Sequence, residues 1–450
     1  MRVKSPSHQS QSTICDPVAS LLSGLSFPKP EQHHMQITDL ISDIRSQFPA
    51  LARIINGYPA AFFDGPGGTQ VPQVVIDAVS DYYSRCNANH GGVFATSVES
   101  DAILDEAHRA VTDFLGVDDP DTVMFGANMT SLTFAFSRAL SRTWRRGDEV
   151  IVSRLDHDAN YTPWVMAAQD AGATVRHIDL HREDCTLDLD TFREALSERT
   201  KLVAVGCASN AVGIINPVKE ICRLSHEVGA LTFLDAVHYA PHALIDVDDF
   251  GCDFLACSAY KFFGPHVGIL WGKRDQLESL PAYKVRPAPN SLPGKWMTGT
   301  QNHEGIAGTL AAVDYLSGLG RTLSGNSNLT RREALALSMN AIQQYESDLI
   351  WKLIDALQNI PSVRIFGITD STRTAERLPT VSITHAKLSP ESLAVQLGAK
   401  GIFVWHGNFY AQPLTEALGL EPDGMVRIGL AHYNTTMEVG RLIETLQKLD

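Results

Sequence analysis

Cys252-Asp-Phe-Leu-Ala-Cys-Ser-Ala-Tyr-Lys-Phe-Phe-Gly-Pro265 is the stretch around which the rest of the chain is organised. Residues 254–257 are a short apolar run of the kind that makes a buried strand. Ser258, Ala259 and Tyr260 turn out of it, Gly264-Pro265 closes the turn, and a second apolar run spans 267–271. Lys261 therefore stands just past the end of a buried strand, where an ammonium is penalised by desolvation. A neutral amine or an imine escapes that penalty, so the position suits a Schiff-base lysine. The plain alternative is a lysine that snorkels to water.

Working outward, Ala230-Leu-Thr-Phe-Leu-Asp235 is another apolar run ending in an acid, followed by Ala-Val-His238. Glu149-Val-Ile-Val-Ser153 leads into Arg-Leu-Asp-His157-Asp-Ala-Asn160, and Thr122-Val-Met-Phe-Gly126 into Ala127-Asn128-Met-Thr130-Ser131, which opens a helical run. Apolar runs at 149–153, 174–179, 201–206, 230–235, 253–257 and 267–271 alternate with helical segments. That rhythm predicts an α/β fold with a mainly parallel sheet and helices on both faces. In such a sheet Asp235 and Lys261 fall at the carboxyl edge, where ligands bind. A strand, a glycine, small polar residues and a helix start describe an anion-binding helix N-terminus.

Lys261 in Ser-Ala-Tyr-Lys-Phe-Phe-Gly-Pro, Asp235 in Leu-Asp-Ala-Val-His and His157 in Asp-His-Asp-Ala-Asn resemble the class V aminotransferase group of pyridoxal-phosphate enzymes, and within it the cysteine-desulfurase-like proteins. Ala208-Ser-Asn210-Ala-Val-Gly213, Thr298-Gly-Thr300-Gln-Asn302 and Val426-Arg427-Ile-Gly-Leu-Ala-His-Tyr-Asn434 extend the resemblance across roughly residues 60–445. It implies a fold type I transferase with a large cofactor-binding domain over 60–303, carrying a seven-stranded type of sheet. A smaller α+β domain is then built from 36–59 and 304–450, with a long helical region over about 304–357 and strand-like runs at 362–366, 380–384 and 401–404. Helical spacing marks 100–118 as an amphipathic helix, and the resemblance places the glycine-containing loop over 87–96 beside the active site. Residues 1–35 are expected to be a mostly disordered tail, polar and Ser/Gln-rich over 1–14.

The resemblance also assigns roles. Lys261 carries pyridoxal 5'-phosphate, Asp235 holds the pyridine nitrogen protonated, and His157 lies on the ring face. Asn210 and His238 face the substrate side and the phenolic oxygen. The phosphate falls to the backbone at Ala127 and Asn128, to Ser258 and to Tyr260, with Thr300 reaching the neighbouring subunit of a homodimer. Arg427 clamps the substrate carboxylate with its planar fork. Taken without the resemblance, Asp235 is as readily a turn cap and Arg427 a surface ion-pairing residue. Two positions depart from the family pattern: Ala127 lacks the usual hydroxyl, and Tyr410, in Trp405-His-Gly-Asn-Phe-Tyr410-Ala-Gln-Pro, stands where a sulfur-accepting cysteine is expected. No cysteine follows Cys257, and a phenol cannot take up sulfur as a thiolate does.

The implied activity is chemistry on an amino acid through an external aldimine and a quinonoid intermediate, with β-elimination and carbon–sulfur cleavage foremost. Transamination, epimerisation, persulfide formation on another cysteine, and a non-enzymatic cofactor-binding scaffold are the alternatives. Side-chain selection is expected to depend on loop residues such as Phe94, Trp405, His406 and Phe409. The composition fits: 450 residues, 44% of them hydrophobic, are ample for two cores. A net charge of −14 argues against nucleic acid or an anionic membrane as partner. Seven cysteines without a paired framework indicate a reducing, cytoplasmic setting. No apolar run is long enough for a membrane span, and no metal-ligand pattern is present.

Overall fold

The computed structural model describes residues 35–450; the expected N-terminal tail lies outside the described residues apart from Met35. Seven strands form the central sheet, in the spatial order Val123–Gly126, Gly268–Gly272, Phe254–Ser258, Leu231–Asp235, Thr200–Gly206, Glu149–Ser153, Thr174–Ile178. Gly268–Gly272 runs antiparallel to both its neighbours, and the other pairings, from Phe254–Ser258 to Thr174–Ile178, are parallel. The strands Val150–Val152, Leu202–Val205 and Phe254–Cys257 are buried along their length. That is why they read as unbroken apolar runs: helices cover both faces of the sheet, leaving no face for polar residues.

The topology gathers the strand ends. Gly268 pairs with both Ser258 and Gly126, and Asp235 lies level with Gly206 and Ala256. The carboxyl ends of five strands thus share one edge, and the chain leaves each end with a polar segment. Asp156 and His157 follow Ser153, Asn210 follows Gly206, His238 follows Asp235, Lys261 follows Ser258, and the helix Met129–Leu140 follows Gly126.

A second sheet of four antiparallel strands has the order Val363–Phe366, Thr380–His385, Met425–Gly429, Trp405–Gly407. The expected strand over 401–404 does not join it. Ile402–Phe403 instead pairs in parallel with Ala61–Phe62, while Met425–Gly429, which carries Arg427, becomes the strand between Thr380–His385 and Trp405–Gly407. The long helical region resolves into His303–Ser324 and Arg331–Leu357, separated by Gly325 in a left-handed conformation. The helix expected over 100–118 begins earlier, at Ala95, and ends at Leu115 against the left-handed Gly116. Residues 281–295 form neither helix nor strand among their length, in line with their prolines.

Candidate active site

Lys261 closes a short 3-10 turn, Ala259–Lys261, directly after the buried strand. The loop 64–70 is laced to this turn. Thr69 donates its backbone N–H to the Tyr260 carbonyl (3.1 Å) and its hydroxyl accepts from Phe263 N–H (2.9 Å). Gly68, at φ +157, lies so close that a Cβ there would meet the Tyr260 ring at 3.3 Å. The Lys261 amine donates to the Pro66 carbonyl. Burial first, and then the Arg427 charge, lower this amine from the ordinary 10.5 to about 7, against the pull of Asp235. Near neutrality, a large share of the amine is therefore free to attack a carbonyl.

Around Lys261 one pocket is lined by Pro66, Asn128, Thr130, Asp156, His157, Asn210, Asp235, His238, Ser258 and Tyr260, among others. Asp235 accepts from Val237 N–H (2.8 Å), and burial raises its carboxyl to about 6. His157 is held neutral: burial, with the charges of Lys261 and Arg427, lowers it to about 4. Its Nδ1 accepts from Ala159 N–H (3.0 Å). At the helix Met129–Leu140, Asn128 caps Ser131 N–H through its side chain (2.8 Å) and the Ser258 hydroxyl accepts from Met129 N–H (3.0 Å). Buried Asn210 Oδ1 and His238 Nε2 have no hydrogen-bond partner, and such atoms are expensive to leave unpaired. An amine that forms imines, an acid, a flat imidazole and a helix N-terminus with a hydroxyl match the aldehyde, ring nitrogen, ring face and phosphate of pyridoxal phosphate. The residues fit that group.

Arg427 reaches the rim of this pocket from the second sheet. Its Nη1 donates to the Asn210 carbonyl (3.0 Å), its Nε is buried without a partner, and the Phe409 ring covers the guanidinium face at 4.5 Å. An unpaired guanidinium edge of this kind can bind a carboxylate. The loop carrying Phe409 and Tyr410 is pinned from both sides: Asn210 Nδ2 donates to the Phe409 carbonyl (2.9 Å) and Asp158 N–H to the Tyr410 carbonyl (2.6 Å). Both residues adopt left-handed backbone angles, φ +58 and +56, an unfavourable conformation for aromatic residues. The Tyr410 ring stacks on His157 with centroids 5.5 Å apart.

Three positions named from the sequence lie outside the lining of this pocket. Ala127 is exposed and not part of the pocket lining; Thr130, which the sequence reading passed over, is. Thr300 is exposed, and its neighbours Gly299 and Gln301 line a second cavity with His90, His108 and His303. The 87–96 loop, expected beside the active site, contributes His90 and Gly91 to that second cavity instead. Asp156 is the acid that sequence reasoning missed. Buried, it accepts from Gly206 N–H (2.6 Å) and Asn160 Nδ2 (3.3 Å), and burial together with Asp235 drives its carboxyl well up. Its position directly before His157, beyond a buried strand, was the available signal.

The family model for class V aminotransferases matches residues 61–442. The chain belongs to the class V aminotransferase family. As a member it is a pyridoxal-phosphate-dependent enzyme of the cysteine-desulfurase-like type. A cysteine desulfurase of Pectobacterium carotovorum is 31% identical over 91% of this chain and 98% of its own. The aminotransferase-like protein FGM3 of Gibberella zeae is 34% identical over 90% and 98%. Among solved structures, the Escherichia coli cysteine desulfurase CsdA superposes on this class V aminotransferase with a TM-score of 0.76 at 26% identity, covering 91% of this chain and 98% of that one. The apo cysteine desulfurase of Thermococcus onnurineus has a TM-score of 0.80 at 24% identity, with 91% and 97% covered; it speaks for the fold alone.

Proposed function

We propose that the protein catalyses β-elimination on an amino acid, including carbon–sulfur cleavage, with Lys261 as the cofactor-bearing and proton-moving residue. When bound, pyridoxal phosphate supplies an electron sink for the α carbon. Asp235 would hold the ring nitrogen, His157 would lie on the ring face, and His238 and Asn210 would meet its phenolic edge. Ser258, Tyr260, Thr130 and the amides after Asn128 would take the phosphate. Arg427 would orient the substrate by its carboxylate. The Lys261 amine, lowered to about 7 by burial and by Arg427, can then take the α proton and return one to the departing group.

The observation that carries elimination over sulfur storage is Tyr410. It occupies the loop that covers Arg427 and His157, and no cysteine follows Cys257 in the sequence. The six cysteines within the described residues are all buried, and burial raises Cys207, Cys252 and Cys257 far above the ordinary thiol value. Transamination by the same residues is the second reading, favoured by the aminotransferase-like relative. The division into domains 60–303 and 36–59 with 304–450 is part of the same reading. So is a cytoplasmic homodimer, supported by the exposed apolar Tyr83, Val93, Phe94 and Val98, a kind of surface that marks association. The test is borohydride reduction of the cofactor-loaded protein, with peptide mapping, followed by an amino-acid panel assayed for 2-oxo acid and for amine transfer. Label on a lysine other than Lys261 removes the basis of the assignment.

A further inference from the structure

Next to the pocket lies a buried polar cluster that the proposed reaction does not use. His242 is 1% exposed, and Glu346 and His432 not at all. His242 Nδ1 and Glu346 Oε2 are 2.8 Å apart, and the Tyr315 hydroxyl and His432 Nε2 are 2.6 Å apart. His242 sits four residues beyond His238, and the two rings meet edge to face with centroids 5.4 Å apart and planes at 74°. Glu346 comes from the middle of the helix Arg331–Leu357 and His432 from the segment after Arg427. Atoms left without partners include His238 Nε2, His242 Nε2, Glu346 Oε1 and His432 Nδ1. So many unpaired polar atoms weigh against stability as the reason for the cluster.

The chemistry of the pair is restricted. A buried carboxylate facing a buried imidazole avoids a net charge in only two ways, as the acid with a neutral ring or as the carboxylate with an imidazolium. Both hold one proton between the partners, and when that proton lies on the Oε2–Nδ1 contact His242 Nε2 carries a hydrogen. Burial raises the Glu346 carboxyl, which favours the loaded pair over the bare anion. His238, beside it, is pushed well down by its own burial and next by His242. We propose that His242 and Glu346 are a positioning pair that stores one proton beside His238 and so holds the His238 imidazole neutral and fixed in the pocket wall. Held in that form, His238 would present an uncharged hydrogen-bonding edge to the phenolic oxygen of the cofactor, an inference that rests on the pocket assignment above. The other titratable groups facing the pair are His432, Tyr345 and Tyr433; Lys261 and Arg427 act on His238 from the pocket side.

The experiment is histidine-selective 15N nuclear magnetic resonance on the cofactor-loaded protein, titrated from about pH 5 to about pH 9. His238→Gln and His242→Gln assign the signals. The expected wild-type result is a hydrogen on His242 Nε2 at neutral pH and a His238 ring that stays neutral. In His242→Gln, and in His242→Asn as a second replacement, the proton affinity of His238 is expected to rise at least threefold. A bare His242 Nε2 at neutral pH, or a His238 titration unchanged in the variants, overturns the proposal. Borohydride labelling of Lys261 is read on each sample, so a failure of the cofactor assignment is seen separately from a failure of the pair.

Discussion

Replacing Lys261 by methionine in the cofactor-free protein should make the fold more stable, and by an amount that depends on pH. The amine falls from 10.5 to about 7 on folding, mainly because burial disfavours its charge. At ~1.4 kcal/mol per pH unit, the charged form costs the native state on the order of 5 kcal/mol. The sign follows from proton counting: between the folded and unfolded values the unfolded chain binds the extra proton, so native stability rises with pH there. The penalty is complete below about pH 7, fades toward the ordinary lysine value and is absent above it. Methionine fills similar space without charge, but it leaves the Pro66 carbonyl unpaired, which offsets about 1–3 kcal/mol. A net gain of roughly 2–4 kcal/mol is therefore expected at pH 6, shrinking steadily toward pH 10. Urea denaturation of both apoproteins across that range measures it, and common titrations cancel in the difference. A methionine variant no more stable than wild type at pH 6, or an advantage that does not change with pH, would refute the account of a desolvated amine.

Asp235→Asn should retain cofactor binding and fold, by circular dichroism, yet lose several orders of magnitude in turnover, because an amide cannot keep the ring nitrogen protonated. Arg427→Lys keeps the charge but loses the planar fork. It is expected to raise KM for the preferred amino acid by about 10–100-fold, the worth of a charged hydrogen bond, with a smaller change in kcat. If cysteine is turned over, sulfur should leave as free sulfide with pyruvate; stoichiometric alanine with a persulfide on any cysteine, mapped by mass spectrometry, would restore sulfur storage.

Much of the site was legible because strand ends punctuate the sequence. A run such as 230–235 or 254–257 is apolar throughout only when both faces are covered, and the first polar residues beyond it must lie at an edge. That logic pointed to Asp235, His157 and Lys261 without any contact being known. It marked the position of Asp156, directly before His157, but not its enclosure, which comes from the Gly206 amide and Asn160 closing on it. Nor could it find the His242–Glu346 pair, whose partners are 104 residues apart. The misplacement of 401–404 has a similar cause: short strands choose partners by tertiary packing, which period-two patterning does not encode.

By itself, the order of apolar runs and helical segments determined a parallel α/β sheet and the side of it on which chemistry occurs, because local periodicity and chain connectivity suffice for both. Only the tertiary structure decided that Arg427 would cross from the second sheet to Asn210, that Phe409 and Tyr410 would be held over Arg427 and His157, and that the Lys261 amine would be buried enough to lose its proton near pH 7. Each depends on how far water is excluded and on which distant groups approach, and those quantities are set by packing between segments hundreds of residues apart.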